Sequence, residues 1–347
     1  MLLQENLSKT REYFKGKKVL VTGGSGFIGS HLADRLEEFG ADVKIFDNFN
    51  RNGRKNVIYG DINNFQQLLR CMQGIEIVFH YAAILGVEKI IDVPEDVLEV
   101  NLMGTREALH AAIQSKVQKF IYASSSEIYG NPRRIPVVED DDPSPISVYG
   151  VSKLASEAYC KSIALRNGIK VVIPRYFNVY GPRQVEKFVM SNFISRVSQN
   201  LPPIIYGSGE QSRSYTFISD AIVGTLLAAA LSEEKCQIYN IGNTHECTLN
   251  ELADRIISLS GKKLVPQYKS FGDGIRVESR EIIHRQPNIE KAQKELGFKI
   301  TTSLEEGIGR YYQWYIKEHK IRNLMDEIYK FEKSIIHSDR MLETAVG

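Results

Sequence analysis

A doubly wound α/β architecture, a parallel sheet covered by helices on both faces, is the fold class this 347-residue sequence predicts. Three observations carry it. Short, continuous apolar runs alternate with amphipathic helical stretches from Lys17 to Tyr176. The connections between them are short, as parallel strands with helical crossovers require. A glycine-rich turn joins the first apolar run to the first helical one.

The elements follow in order. Lys17–Thr22 (KKVLVT) reads as a strand buried on both faces, and Phe27–Phe39 as a helix with Ile28, Leu32 and Leu36 on one stripe. Ala41–Phe46 and Asn56–Tyr59 are the second and third strands. Asn64–Met72 is a helix and Glu76–Tyr81 a fourth strand. Val97–Gln114 is a helix, Lys119–Ala123 a fifth strand, Ser147–Arg166 a helix, and Lys170–Tyr176 a sixth strand with Pro174 near its end. Beyond Gly181 the rhythm breaks. Helices are expected at Val189–Gln199, Ser219–Leu231, Leu249–Ser258, Ile289–Leu296 and Ser303–Lys317. Between them lie an extended segment at Pro202–Tyr206, a candidate strand at 237–242 and a polar segment at Tyr268–Pro287. The second half is too interrupted for a sheet domain of its own and is expected to cap the first.

The domain reading is therefore residues 1–180, with 237–245 returning to that sheet, a smaller mixed α/β unit at 181–330, and a polar tail at 331–347. With 43% hydrophobic and 25% charged residues the chain has ample core. A net charge of +2 gives no reason to expect a nucleic-acid partner. Cys71, Cys160, Cys236 and Cys247 form no CxxC pair and no zinc spacing, so free thiols and no metal are expected. The N-terminal stretch lacks the apolar core of a signal peptide, and no run has the length of a membrane span. The expectation is a cytoplasmic protein without a membrane partner.

TGGSGFIGS (22–30) spaces Gly23, Gly26 and Gly29 as G-x-x-G-x-x-G between a strand and a helix. In that context glycines permit the tight turn and let backbone N–H groups reach a pyrophosphate at the helix N-terminus, where the dipole favours anions. Phe27 and Ile28 open that helix. Asp47 ends the second strand, eighteen residues beyond Gly29. A carboxylate there accepts ribose hydroxyls and repels a 2′-phosphate, which favours NAD over NADP, although Arg51 and Arg54 follow closely. Asp61 either meets the adenine edge or is an ordinary loop aspartate.

Tyr149 and Lys153 stand at i and i+4 on one helix face. An ammonium beside a phenol favours phenolate, lowering a pKa of roughly 10 towards neutrality. Such a tyrosine can remove a hydroxyl proton while a nicotinamide takes the hydride. SSSEIYG (124–130) closes the fifth strand and, taken alone, reads as a polar turn. Beside Tyr149 and Lys153 it also supplies a serine to hold the same hydroxyl.

These motifs together resemble the extended short-chain dehydrogenase/reductase family of nucleotide-sugar epimerases, dehydratases and decarboxylases. The resemblance rests on TGGSGFIG, Asp47, Asp61, HYAA (80–83), Asn101, the set Ser125, Tyr149 and Lys153, and RYFNVYGPRQ (175–184), and it spans Lys17 to Tyr315. It implies a Rossmann domain carrying NAD, a smaller C-terminal domain gripping a nucleoside diphosphate sugar, with UDP favoured, and a homodimer through the helices 97–114 and 147–166. The resemblance makes Ser125, Tyr149 and Lys153 the catalytic set. It places Asn48, Ile62, Tyr81, Ala82, Ala83, Asn101 and Tyr176 beside the cofactor, and Asn178, Asn192, Arg213 and Arg280 beside the diphosphate, with Arg285 a weaker candidate.

Which sugar chemistry follows C4 oxidation is written in Ser125-Ser126-Glu127. Dehydratases resemble T-D-E-x-Y-G here, the aspartate protonating the departing hydroxyl; Ser126 is a poor general acid at neutral pH. Decarboxylases of UDP-glucuronate resemble T-S-E-x-Y-G, where CO2 leaves without needing a proton and Glu127 is retained. VMSNFI (189–194), YGSGEQSRSYTFISD (206–220) and HRQPNIEKAQKELGF (284–298) resemble that branch. YGVSKLASE and the segment 84–94 look more like a 4-epimerase. The expectation leans narrowly to decarboxylation, with 4-epimerisation, dehydration and a non-catalytic NAD-sensing role behind it.

Overall fold

A computed structural model describes residues 2–51, 53–85, 93–270 and 282–320. Its centre is an all-parallel sheet in the order β12-β7-β5-β4-β1-β2-β3. The strands are β1 (Lys18–Thr22), β2 (Asp42–Asp47), β3 (Val57–Tyr59), β4 (Ile77–His80), β5 (Lys119–Tyr122), β7 (Lys170–Tyr176) and β12 (Cys236–Ile241), with the two-residue β6 (Ser124–Ser125) also pairing to β7. Val19, Leu20, Val21, Val78, Phe79, Phe120 and Ile121 are buried, which is why these strands read as unbroken apolar runs rather than alternating ones. The residues 237–242, a tentative strand in the sequence, occupy the sheet edge, in parallel register with β7 from Cys236↔Val171 to Ile241↔Tyr176.

Capping chemistry fixes the ends of several helices. They are α2 (Phe27–Glu38), α3 (Phe65–Cys71), α4 (Pro94–Leu98), α5 (Gly104–Gln114) and α6 (Val148–Asn167). Asn64 caps α3 by accepting from the Gln67 N–H, and Ser147 caps α6 by accepting from the Gly150 N–H. Gly168, at φ 74°, closes α6 in the left-handed conformation.

Two features depart from the sequence reading. The expected single helix 97–114 begins earlier, at Pro94, and is interrupted by a π-helical turn at Glu99–Met103. That turn widens the helix around the buried Asn101, whose side chain leaves the helix to hold the Ile84 backbone. The N-terminal stretch, unassigned in the sequence, is a helix, α1 (Leu2–Phe14). It buries Phe14, and Asn6 Nδ2 donates to the Leu296 carbonyl at 3.0 Å.

The remaining helices are α7 (Val189–Ser198), α8 (Ile218–Leu231), α9 (Leu249–Ser260), α10 (Glu290–Leu296) and α11 (304–320). α8 is apolar around nearly its whole circumference and packs against α1, α2, α10 and the sheet. Away from the main sheet, the described strands form only two-stranded pairs: β10 (Ser212–Ser214) with β13 (Glu246–Thr248), β11 (Thr216–Phe217) with β8 (Val179–Tyr180), and β14 (Gln267–Lys269) with β9 (Ile204–Tyr206). The expected tail at 331–347 lies outside the described residues.

One clasp ties the two halves. Asp34 on α2 forms ion pairs with Arg54, from the loop after β2, and with Arg183, from the loop after β8, at 2.6 Å for Arg183. His31 bonds the Pro182 carbonyl at 2.9 Å beside it.

Candidate active site

The glycine loop departs from the C-terminal end of β1. Gly23 has φ +68° and lies so close to the next strand's exit that a Cβ would meet Ala82 N and Tyr81 C at 2.6 Å. Gly29 backs onto the same turn: a Cβ there would meet the Gly23 carbonyl at 2.3 Å. Gly26 differs. It is the N-cap of α2 with extended backbone, and a Cβ would meet only the Gly23 carbonyl, at 3.2 Å. The protein itself leaves the space before the helix N-terminus unfilled. The Ser25 hydroxyl in this loop is buried without a partner among the described residues. Phe27 and Ile28, half-buried, supply the first helical N–H groups.

Asp47, 6% exposed, stands across from that turn at the end of β2. Its Oδ2 accepts from Ser25 N at 2.9 Å and its Oδ1 from Asn48 N at 2.8 Å. Burial raises its pKa, with those N–H bonds and Arg51 opposing. A carboxylate oxygen has lone pairs to spare after one such bond, so the set fits a dinucleotide: donors and a helix dipole for the pyrophosphate, an acceptor for ribose hydroxyls. Arg54 is committed elsewhere, to Asp34 and to Glu37 at 2.6 Å. Asn48 and Asp61 are exposed, Asp61 Oδ1 accepting from Asn63 N as a loop aspartate does, while Ile62 is buried.

Behind the loop runs a hydrogen-bond chain whose direction can be assigned. The Thr105 hydroxyl donates to the Asn101 carbonyl at 2.5 Å, so it accepts from His80 Nε2 at 3.0 Å. His80 Nδ1 is then the acceptor for the Thr22 hydroxyl at 2.8 Å, and Thr22 accepts from Ala82 N at 3.4 Å. Burial lowers the His80 pKa to about 3, so the ring is neutral. Asn101 pins both backbone groups of Ile84 and donates to Ser152 Oγ at 3.1 Å; Ser152 in turn donates to the Tyr149 carbonyl. Tyr81 and Tyr176 join hydroxyls in a close contact, and Tyr176 meets Thr225 at 2.6 Å. Ala83, two residues beyond Tyr81, is half-buried.

The delivery of SSSE has a structural cause. β5 pairs with β7 up to Ile121↔Val172, and β6 resumes the pairing at Ser124↔Arg175. Pro174 occupies the intervening stretch of β7, where a missing N–H costs nothing on that side. Ser125, paired with Tyr176, ends this resumed ladder, and its Oγ accepts from Glu127 N at 3.2 Å, capping a short 3₁₀ turn, Ser126–Tyr129. Ser126 is 2% exposed, a poor position as well as a poor group for acid catalysis.

Ser125, Glu127, Tyr149 and Lys153 are brought together. Lys153 is buried, donates to the Ala123 carbonyl at 2.8 Å, and lies 5.7 Å from the Tyr149 ring centroid. Tyr149 does not have the lowered pKa expected from the lysine. Desolvation raises it, the Glu127 charge adds to the rise, and the Ser125 hydrogen bond and Arg285 oppose without prevailing. Burial likewise lowers Lys153 to about 8, with Glu157 opposing.

Arg285, weighed above for the diphosphate, faces Glu127 instead. It is 3% exposed, and its Nη2 donates to Glu127 Oε1 at 2.8 Å. Its Nε and Nη1 are buried without partners among the described residues. Burial penalises the Glu127 charge, but Arg285, its hydrogen bond and the more distant Arg213 outweigh that, so Glu127 is a carboxylate with a lowered pKa. Arg213 lies on β10 and bonds the Ser212 carbonyl. Asn178, at φ +37°, has a buried side-chain oxygen without a partner among the described residues, Asn192 is exposed on α7, and Arg280 lies outside the described residues. Among the described residues no cluster could hold a metal, and no helix is long and apolar enough to cross a membrane.

Comparison with known proteins shows the family. The profile of the NAD dependent epimerase/dehydratase family matches residues 19–242. A UDP-N-acetyl-alpha-D-glucosaminuronate decarboxylase of Bacillus cytotoxicus is 36% identical over 322 residues, 86% of this chain and 98% of that protein. Among solved structures, MoeE5 in complex with UDP-glucuronic acid and NAD is 32% identical, with a TM-score of 0.80 over 87% of this chain and 99% of that one. The UDP-glucose 4-epimerase of Thermotoga maritima, solved with UDP-glucose, is 31% identical, also with a TM-score of 0.80, over 87% and 99%.

Proposed function

The chain belongs to the NAD dependent epimerase/dehydratase family, and on that premise we propose that it decarboxylates a UDP-uronate by transient oxidation at C4. The observation that carries this reading is Arg285: a guanidinium 3% exposed, held by Glu127, with two donors unpartnered among the described residues, beside the Ser125–Tyr149 pair. A buried cation with two donors to spare suits a carboxylate, whereas a neutral hexose offers it nothing of equal strength.

NAD is the cofactor, held by Gly23, Gly26, Gly29, Phe27 and Ile28 at its pyrophosphate and Asp47 at its ribose; when bound it accepts and returns the C4 hydride. Arg54, engaged by Asp34 and Glu37, offers little to a 2′-phosphate. Tyr149 removes the C4 hydroxyl proton and Ser125 holds that oxygen. Ser125 and Arg285 favour the phenolate form, against burial and Glu127, which hold the phenol protonated until the substrate hydroxyl is in place. A C4 ketone makes the C6 carboxylate a β-keto acid. The C5–C6 bond then breaks, its electron pair passes to the C4 oxygen held by Tyr149 and Ser125, and CO2 departs. Arg285 orients the carboxylate, and Glu127, sharing that guanidinium, keeps the ion pair from holding it too tightly. A solvent proton, delivered by a water that Glu127 positions, then adds to C5. The described residues between 181 and 320 outside β12 serve the nucleotide sugar, with Asn178, Asn192 and Arg213 for the diphosphate, alongside Arg280 from outside the described residues. Leu98, Met103 and Val151 are exposed on the helices 97–114 and 147–166, which supports a homodimer through them.

A second reading, 4-epimerisation, is favoured by Ser125-Ser126 and by YGVSKLASE. The test is a panel of UDP-uronates and UDP-hexoses incubated in deuterated water. Decarboxylation gives a product lighter by CO2 and labelled at C5. An unlabelled product of unchanged mass would replace this reading with the second.

A further inference from the structure

We propose that Tyr122 is a positioning residue that keeps Lys153 charged: its ring and that of Tyr149 form an aromatic cage around the ammonium. The proposal rests on the reading that Tyr149 and Lys153 perform the C4 chemistry. No motif singles out Tyr122; in the sequence it is simply an apolar residue of the fifth strand.

The geometry is specific. Lys153 Nζ lies 5.0 Å from the Tyr122 ring centroid and 5.7 Å from that of Tyr149, both within the range of cation–π attraction. Lys153 is 4% exposed and Tyr122 0% exposed, so the ammonium has exchanged water for the Ala123 carbonyl at 2.8 Å and these two rings. The charged and titratable groups around it are few. Glu157, one turn further along α6, acts on it through space, but that carboxylate is committed to Arg175 at 2.7 Å and to the Ser124 hydroxyl. Cys160 lies on the same helix, and His80 on β4 is neutral. Burial drives Lys153 towards its uncharged form, and the rings work in the other direction. The Tyr122 hydroxyl, near Ser156, makes no hydrogen bond of acceptable geometry among the described residues, so the ring alone carries the effect. His80, the register partner of Tyr122 on β4, stacks on that ring at 6.1 Å and 23°.

The test titrates Lys153 directly, by the carbon-13 shift of its Cε in NAD-loaded protein with labelled lysine, the resonance being assigned from Lys153→Met. Tyr122→Phe should titrate as the parent does. Tyr122→Leu should titrate about one and a half pH units lower, the weight of one desolvated cation–π contact, and the basic limb of kcat/KM should fall by the same interval. Should the leucine variant not fold, pentafluorophenylalanine at position 122 keeps the shape and inverts the ring quadrupole, and the same downward shift is expected. Titration within a few tenths of a unit of the parent in either variant overturns the cage. An unchanged kcat/KM profile for Lys153→Met would instead sink the underlying assignment of Lys153, a distinguishable failure.

Discussion

Gly26→Ala separates ligand binding from folding more cleanly than any other single change in the glycine loop. Gly26 has φ −76° and ψ −177°, which alanine adopts freely, and its added Cβ would touch only the Gly23 carbonyl at 3.2 Å. The folding cost is that of alanine at an N-cap, about 1 kcal/mol, or a melting shift of roughly 1–2 °C for a chain of this length. The methyl group, however, enters the space in front of the α2 N–H groups. Displacing the pyrophosphate from even one charge-assisted hydrogen bond costs about 2 kcal/mol, a roughly 30-fold rise in Kd. Calorimetric titration of NAD into cofactor-free protein reads the second quantity and thermal unfolding the first. Gly23→Ala is the contrast: at φ +68°, with backbone atoms at 2.6 Å, it should damage both together. A Gly26→Ala protein binding NAD within threefold of the parent would refute the cradle.

Other expectations follow from the same site. Tyr149→Phe should lower kcat by ~10²–10⁴ while NAD and UDP affinities measured by titration stay near those of the parent, because only the phenolic oxygen is lost. Glu127→Gln should slow CO2 release ~10²-fold or more, read by product mass, while oxidation at C4 persists as reduced-nicotinamide absorbance; full turnover would remove Glu127 from the chemistry. His80 has a folded-state pKa of about 3, below the roughly 6.5 of an unfolded histidine, so its stability contribution is intact above pH ~6.5 and erodes as acid is added. His80→Gln should therefore flatten the fall of melting temperature between about pH 6.5 and 4, and parallel curves for the two proteins would contradict the buried neutral ring.

Much of the scaffold was legible because its signals are local. β1, the glycine turn and α2 are written in consecutive residues, and Tyr149 and Lys153 share a helix face by spacing alone. What escaped depends on distance. The Arg285–Glu127 pair joins residues 158 apart in sequence, and only the packing of the second half against the first brings them together. The π-turn at Glu99–Met103 escaped because helical periodicity does not register one extra residue per turn, and its cause is Asn101 reaching across to Ile84. α1 has only a few buried positions, among them Asn6 and Thr10, so it carries little of the apolar stripe that marks a helix. The expected drop in the Tyr149 pKa failed because the sequence shows a neighbouring charge but not the burial that opposes it.

The position of β12 bears on how the chain is made. β7, buried along six of its seven residues, obtains its neighbour on one side only from Cys236–Ile241, after α7, the β8–β11 pair and α8 have been synthesised. At ~5–20 residues per second, a nascent chain spends several seconds with an apolar β-ladder open on that side. Such an open edge is a template for pairing with another chain. A fragment ending near residue 180, where the sequence rhythm suggests a natural cut, would carry that edge permanently. The nucleotide-binding half is thus spatially one layer but temporally split, and its solubility during synthesis depends on residues that arrive last.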